Sequence, residues 1–289
     1  MINLENEYLK VSFASKGAEL QSIKSKQNDK EYLWDGNPDF WAKHSPVLFP
    51  IVGGLKNNTY YFEDQKYQLS RHGFARDHEF QVTQVSTTEA SFTFRHTPET
   101  LKIYPFKFSL KISYALKDNT LTCTYAVSNP DDTNGLLFSI GGHPAFALPA
   151  TEQLKYSDYF LEFNTDDELV YHKIEGDLID NETMTIKLTN KTLPLKHELF
   201  YEDALVFKNL KSNLISIKNT KNNHGLTFQF EQFPFFGIWA AKDADFVCLE
   251  PWCGIADGID HNQDLKNKEG IIELAPGSEW QRKWSVVCF

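Results

Sequence analysis

Phe106-Lys107-Phe108-Ser109-Leu110-Lys111-Ile112-Ser113-Tyr114 puts five apolar side chains on one side of an extended chain and four polar ones on the other. A helix would scatter the same residues around its circumference, so the stretch reads as a half-buried strand. After Lys117-Asp118-Asn119 the alternation resumes with Leu121, Cys123, Tyr125 and Val127 between threonines, which predicts an antiparallel hairpin. Working outward, similar runs occur at 9–13, 91–95, 226–230 and 280–288, separated by turn-formers at Asn57 and Asn58, 129–135 and 222–225. Only 98–103 and 195–201 offer a turn or two of helix. The fold class is therefore all-β, a sandwich or barrel of about twenty short antiparallel strands. No linker, repeat or shift of composition interrupts 1–289, which reads as a single domain.

Twenty-nine Lys and Arg against 39 Asp and Glu give a net charge of −10. An acidic chain without a basic run repels phosphate backbones and anionic lipid, so neither nucleic acid nor a membrane surface is expected as a partner. No apolar run approaches the roughly 18 residues of a spanning helix. Residues 1–13 alternate and lack the basic start and apolar centre of a secretory signal, so they read as the first strand of a cytoplasmic protein. Cys123, Cys248, Cys253 and Cys288 contain no Cys-x-x-Cys pair and are expected as free, buried thiols.

No phosphate-binding loop, dinucleotide fingerprint, His-Glu-x-x-His or Gly-x-Ser-x-Gly is present. Three clusters stand out instead. Arg71-His72-Gly73-Phe74-Ala75-Arg76 sets two guanidinium groups and an imidazole beside a glycine and suits a polar ligand; it reads equally as a solvated turn whose arginines pair with Asp77 or Glu79. Gly141-Gly142-His143-Pro144 delivers a histidine at the end of an apolar strand, between a flexible glycine pair and a proline. That position suits proton transfer, or a histidine packed at a strand end. Glu250 follows the apolar run 246–249 and precedes Pro251 and Trp252; buried, it needs a partner or a purpose, and exposed it is a rim carboxylate. Asp203 lies before the apolar run 204–207, as a ligand-facing group or a turn residue.

In this order, Ser-Pro-Val-Leu-Phe-Pro-Ile-Val-Gly at 45–53, Arg-His-Gly-Phe-Ala-Arg at 71–76, Gly-His-Pro-Ala-Phe at 142–146 and Cys-Leu-Glu-Pro at 248–251 resemble the aldose 1-epimerase (galactose mutarotase) superfamily, most closely its LacX-like branch. The resemblance implies a large antiparallel β-supersandwich that interconverts sugar anomers without metal or organic cofactor. It makes His143 the general acid toward the ring oxygen and Glu250 the general base toward the anomeric hydroxyl. It gives Arg71, His72 and Asp203 the sugar hydroxyls, and Arg76 a contact known in sugar-phosphate relatives. Galactose mutarotases carry Leu-His-Gly-Gly where this chain has Arg71-His72-Gly73-Phe74, and the latter segment also resembles the hexose-6-phosphate 1-epimerases, whose arginines bind phosphate.

The resemblance thus implies an isomerase acting on a hexose such as galactose or glucose, or on a hexose 6-phosphate, with a small-molecule sugar or sugar phosphate as its partner. A catalytically silent sugar-binding protein would keep the fold without needing His143 and Glu250 together. The acid and base are expected to lie across one sugar-sized cleft, with Trp239, Trp252, Phe146 or Phe74 lining the sugar's apolar side. Monomer and homodimer are equally compatible with the sequence.

Overall fold

The hairpin forms as strands Ser109–Lys117 and Thr120–Ser128, with Leu121 opposite Leu116 and Tyr125 opposite Ile112. The computed structural model describes residues 1–289, with twenty-four strands whose ladders are antiparallel throughout. The N-terminal thirteen residues hold two strands, Ile2–Glu5 and Leu9–Phe13, where one was expected. Asn6 causes the break, because its Oδ1 accepts the backbone N–H groups of Tyr8 and Leu9 and so turns the chain. Pro98–Ile103 is the single α-helix, started by reciprocal bonds between Thr97 and Thr100, while 195–201 yields only the 3-10 turn His197–Phe200. No helix is long and apolar enough to cross a membrane. All four cysteines are free and buried.

Two large sheets form the supersandwich. In the nine-stranded sheet the hairpin lies beside Glu279–Cys288, followed by Leu226–Gln229, Leu214–Asn219 and Tyr159–Phe163. The eight-stranded sheet runs Leu178–Lys187, Glu168–Glu175, Leu205–Phe207, Phe235–Trp239, Phe246–Cys253, Ile140–Gly142 and Val47–Leu48, and Ala145–Ala147 also pairs with Phe246–Cys253. The sheets meet through aromatic rings. Phe228 of the larger sheet contacts Phe146 at 5.7 Å and Phe236 at 6.3 Å between centroids. Every inward residue of the hairpin from Phe106 to Val127 is buried, as period-two alternation requires.

One buried ion pair ties down the loops at the edge of the smaller sheet. Lys268 Nζ lies 2.8 Å from Asp257 Oδ1, and both side chains are wholly inaccessible. The second Asp257 oxygen accepts the Lys56 N–H at 2.9 Å, while the Asp257 backbone donates to the Gly54 carbonyl and accepts from Ile179 N. One residue thereby joins the 53–56 loop to the strand Leu178–Lys187. Removing Lys268 would leave the Asp257 carboxylate buried without its cation. Lys268→Met should lower stability by about 3–5 kcal/mol in urea denaturation, and adding Asp257→Asn should recover part of the loss.

Candidate active site

Glu250 does not follow a strand; it lies inside Phe246–Cys253, every residue of which is buried. The neighbouring chain pairs with this strand twice, through Ile140 and Gly141 before His143 and through Ala145 to Ala147 after it. Both segments keep one register, and that register sets His143 directly opposite Glu250. Cross-strand neighbours have their Cβ atoms about 4.5–5.5 Å apart. Accordingly His143 Nε2 lies 3.4 Å from Glu250 Oε2, the two residues being 8% and 2% exposed. The expected pair across a cleft is in fact a side-by-side pair on one wall.

The adjoining glycines are packing positions with ordinary backbone, not a flexible pair. A Cβ on Gly141 would fall 2.5 Å from Trp252 Cδ1, and one on Gly142 would fall 2.7 Å from Tyr125 Oη. On the other flank, a Cβ on Gly237 would come within 2.6 Å of the far edge of the Trp252 ring. The indole therefore lies flat across its own sheet beside Glu250, over strands kept bare on both sides. Trp41 stacks on the His143 imidazole at 4.9 Å, and Trp239 and His72 meet it edge-on at 5.6 and 5.9 Å.

His72 and Gly73 are consecutive left-handed residues, at φ 68° and 70°. Gly73 must be glycine, since a Cβ there would strike the Phe49 carbonyl. The bulkier His72 is held in that conformation by bonds to one residue: its N–H donates to the Gly53 carbonyl at 2.9 Å, and its Nδ1 accepts the Gly53 N–H at 3.1 Å. Arg71 Nε, a second donor, sits 3.2 Å from His72 Nε2. A neutral imidazole has one acceptor nitrogen. The backbone N–H is fixed, so Nδ1 is that acceptor and Nε2 carries the hydrogen, beside a guanidinium N–H that offers it nothing.

All six sequence-derived residues, Arg71, His72, Arg76, His143, Asp203 and Glu250, line one cleft of about 440 Å³. Arg71 pairs with neither Asp77 nor Glu79; its Nη1 lies 2.5 Å from Asp177 Oδ1. Arg76 Nη2 donates to the Arg71 carbonyl at 2.9 Å, and its Nε is 3.9 Å from Asp77. Asp203 Oδ1 accepts the Ala204 N–H at 2.6 Å, so its turn role and its place in the cleft coexist. Trp239 and Trp252 line the cleft as expected, whereas Phe74 and Phe146 belong to the core. Trp41, Asp177, Glu202 and Lys242 line it too and had no signal in the sequence beyond being polar or aromatic loop residues.

Burial governs the charges. Loss of water pushes the His143 imidazole down to about 3, helped by the positive Arg71 and Arg76, and holds His72 well below its ordinary 6.5. The same loss of water lifts Glu250 well above the usual carboxylate range, with Asp203 adding to the rise and Arg71 opposing it. Glu250 Oε2, His143 Nδ1 and the Trp252 indole N–H find no partner within the protein. Such atoms are costly to bury without a partner. Cys248 Sγ completes a group with His143 and Glu250 whose donor atoms all lie within 4.8 Å of one another.

The family model described as Aldose 1-epimerase matches residues 1–286. Protein LacX of Lactococcus lactis subsp. lactis is 34% identical over 294 residues, covering 99% of this chain and 98% of the relative. A galactose mutarotase related enzyme from Lactobacillus acidophilus superposes with a TM-score of 0.95 at 35% identity, covering 100% of this chain and 97% of that one. A galactose mutarotase-like protein from Lactobacillus casei gives 0.91 at 30% identity, with both chains fully covered.

The two histidines can be tested without any substrate. Because their folded pKa values are depressed, the unfolded chain takes up these protons first, and this contribution to stability falls as pH drops below about 6.5. In histidine-labelled NMR the ring signals of His143 and His72 should stay unchanged between about pH 5 and 8, where a free imidazole titrates. An inflection near 6.5 in either would contradict the burial argument.

Proposed function

This chain belongs to the aldose 1-epimerase family, and from that premise we propose that it interconverts the α and β anomers of a free hexose such as galactose or glucose. The supporting observation is the adjacency of His143 Nε2 and Glu250 Oε2, at 3.4 Å on one wall of the cleft. The ring oxygen and the anomeric hydroxyl are bonded to the same carbon, so the groups that serve them must stand side by side. In the reactive arrangement His143 is protonated and Glu250 ionised. Glu250 takes the proton of the anomeric hydroxyl and His143 gives one to the ring oxygen, so the carbon–oxygen bond breaks and an open-chain aldehyde forms. Rotation about the bond next to the carbonyl exposes its other face. Closure then returns both protons, leaving the pair as it began.

The dry surroundings favour the uncharged form of the pair, with the proton on Glu250, which is its state after ring opening. Burial thus works toward the open-chain intermediate. Arg71, Arg76 and Asp203, which line the cleft, would hold hydroxyl groups in this reading, with His72 Nε2–H as a further donor and Trp252 as a flat apolar surface. The four free, buried thiols fit a cytoplasmic protein.

A neutral sugar suits the charges better than a sugar phosphate. Three cations, Arg71, Arg76 and Lys242, face the carboxylates Asp177, Glu202 and Asp203, while burial keeps a proton on Glu250. Arg71 in particular is already engaged by Asp177. Polarimetry on freshly dissolved α-galactose, α-glucose and glucose 6-phosphate tests the reading. His143→Asn and Glu250→Gln should each slow the catalysed reaction about 10²- to 10⁴-fold. If no sugar equilibrates faster than in buffer, the protein is a silent binder; if glucose 6-phosphate is preferred, the charge argument fails. Asp177→Asn should release Arg71 and raise kcat/KM for glucose 6-phosphate relative to galactose, measured in the same assay.

A further inference from the structure

We propose that His143 and Glu250 on the wall of this cleft, with Cys248 buried behind them, also form a reversible inhibitory site for Zn²⁺. Cys248 has no part in the proton exchange, yet it lies two residues before Glu250 on the same strand and so shares its face. One nitrogen, one sulfur and one oxygen donor lie within 4.8 Å of one another, each from a buried residue. The 3.4 Å between His143 Nε2 and Glu250 Oε2 is long for a hydrogen bond. It matches the edge of a tetrahedron around an ion with bonds of about 2.0–2.1 Å, which is roughly 3.3–3.4 Å. From the 4.8 Å limit the sulfur needs to close by at most about 1.3 Å to complete the third bond, given a zinc–thiolate length of about 2.3 Å.

The donor set selects the ion. A thiolate with an imidazole and a carboxylate suits Zn²⁺, whereas Mg²⁺ and Ca²⁺ require oxygen ligands and more of them. Glu250 Oε2 has no other partner to give up. Three protein ligands leave a fourth coordination position, and the ion would arrive from the side of His143 and Glu250, which line the cleft. Binding releases two protons, one from the Cys248 thiol and the one held on Glu250, and takes the lone pairs of His143 and Glu250, which the anomer exchange needs. The inhibition rests on the proposed function, but the binding does not.

The test therefore reads both. Intact protein is titrated with Co²⁺ as a spectroscopic substitute and with Zn²⁺ against a chromophoric chelator, and anomer exchange is followed with Zn²⁺ and after EDTA. Wild type should show a thiolate-to-cobalt charge-transfer band, stoichiometric Zn²⁺ uptake, and inhibition that EDTA relieves. Cys248→Ala should lose the band and bind Zn²⁺ more weakly by at least the roughly 10- to 100-fold that loss of an outer partner costs. Cys248→Ser keeps the side-chain size as a check on folding, and should lose the band as well. Absence of the band in wild type, its survival in both Cys248 variants, or Zn²⁺ inhibition unaltered by them would overturn the site. If no sugar is turned over but the Cys248-dependent band is present, the metal site stands and the anomerase reading fails.

Discussion

A carboxylic acid directly opposite an imidazole in a buried antiparallel ladder is the constraint around which this molecule is arranged. Glu250 has neighbours on both sides within the sheet and no route to bulk water except the cleft. Left alone, such a group would cost several kcal/mol and would simply hold its proton. His143 makes that proton transferable, because a partner held at 3.4 Å by sheet register needs no side-chain search before it can act. The ladder that normally stabilises strands here sets the two groups to which the proposed reaction assigns the proton transfers side by side.

Much of the surrounding packing serves that pair. Gly141 and Gly237 leave the sheet surface bare on either side of Trp252, so the indole can lie flat beside the carboxyl group. Trp41 and Trp239 close over the imidazole and keep it dry. Burial, to which these rings contribute around His143, pushes His143 down and Glu250 up. Behind the cleft, Asp257 anchors the 53–56 loop whose Gly53 fixes the tautomer of His72. A wholly buried ion pair is thus connected, through backbone bonds, to the direction in which a cleft histidine donates.

The alternation from Phe106 to Val127 made the fold class legible, since a strand with one wet face writes its burial directly into the sequence. The fully buried strand around Glu250 has no alternation, so its end could not be read, and Glu250 looked like a residue beyond a strand. Gly141 and Gly142 were open to a similar misreading. Glycine signals either freedom or close approach, and only the neighbours Trp252 and Tyr125 show that approach is the reason. Asp177 comes from a segment distant in sequence from every motif, and Trp41 lies just before the 45–53 motif without belonging to it; nothing local distinguishes a tryptophan over an imidazole from one in the core. Five of the six cleft residues named from the sequence lie in the ordered motifs and Asp203 came in through the family resemblance, while their separation was not legible, because register is a property of two strands.

That separation bears on the chemistry more than the residue types do. Glycoside hydrolysis needs its two carboxyl groups about 5–5.5 Å apart for retention, or about 6.5–9.5 Å apart for inversion, because they act on opposite sides of the anomeric carbon. Anomer exchange moves protons at two oxygens that share that carbon and requires no attack from the far face. Groups as close as His143 and Glu250 can reach both oxygens from one side, but they leave no space between them for a sugar carbon or a nucleophilic water. In the proposed reaction their closeness also means that one proton suffices for the pair, and that each half of the cycle hands the next half the protonation state it needs. In that reaction an aromatic cage that excludes water would protect the pair, since a stray solvent proton would put both groups in the same state and stop the exchange.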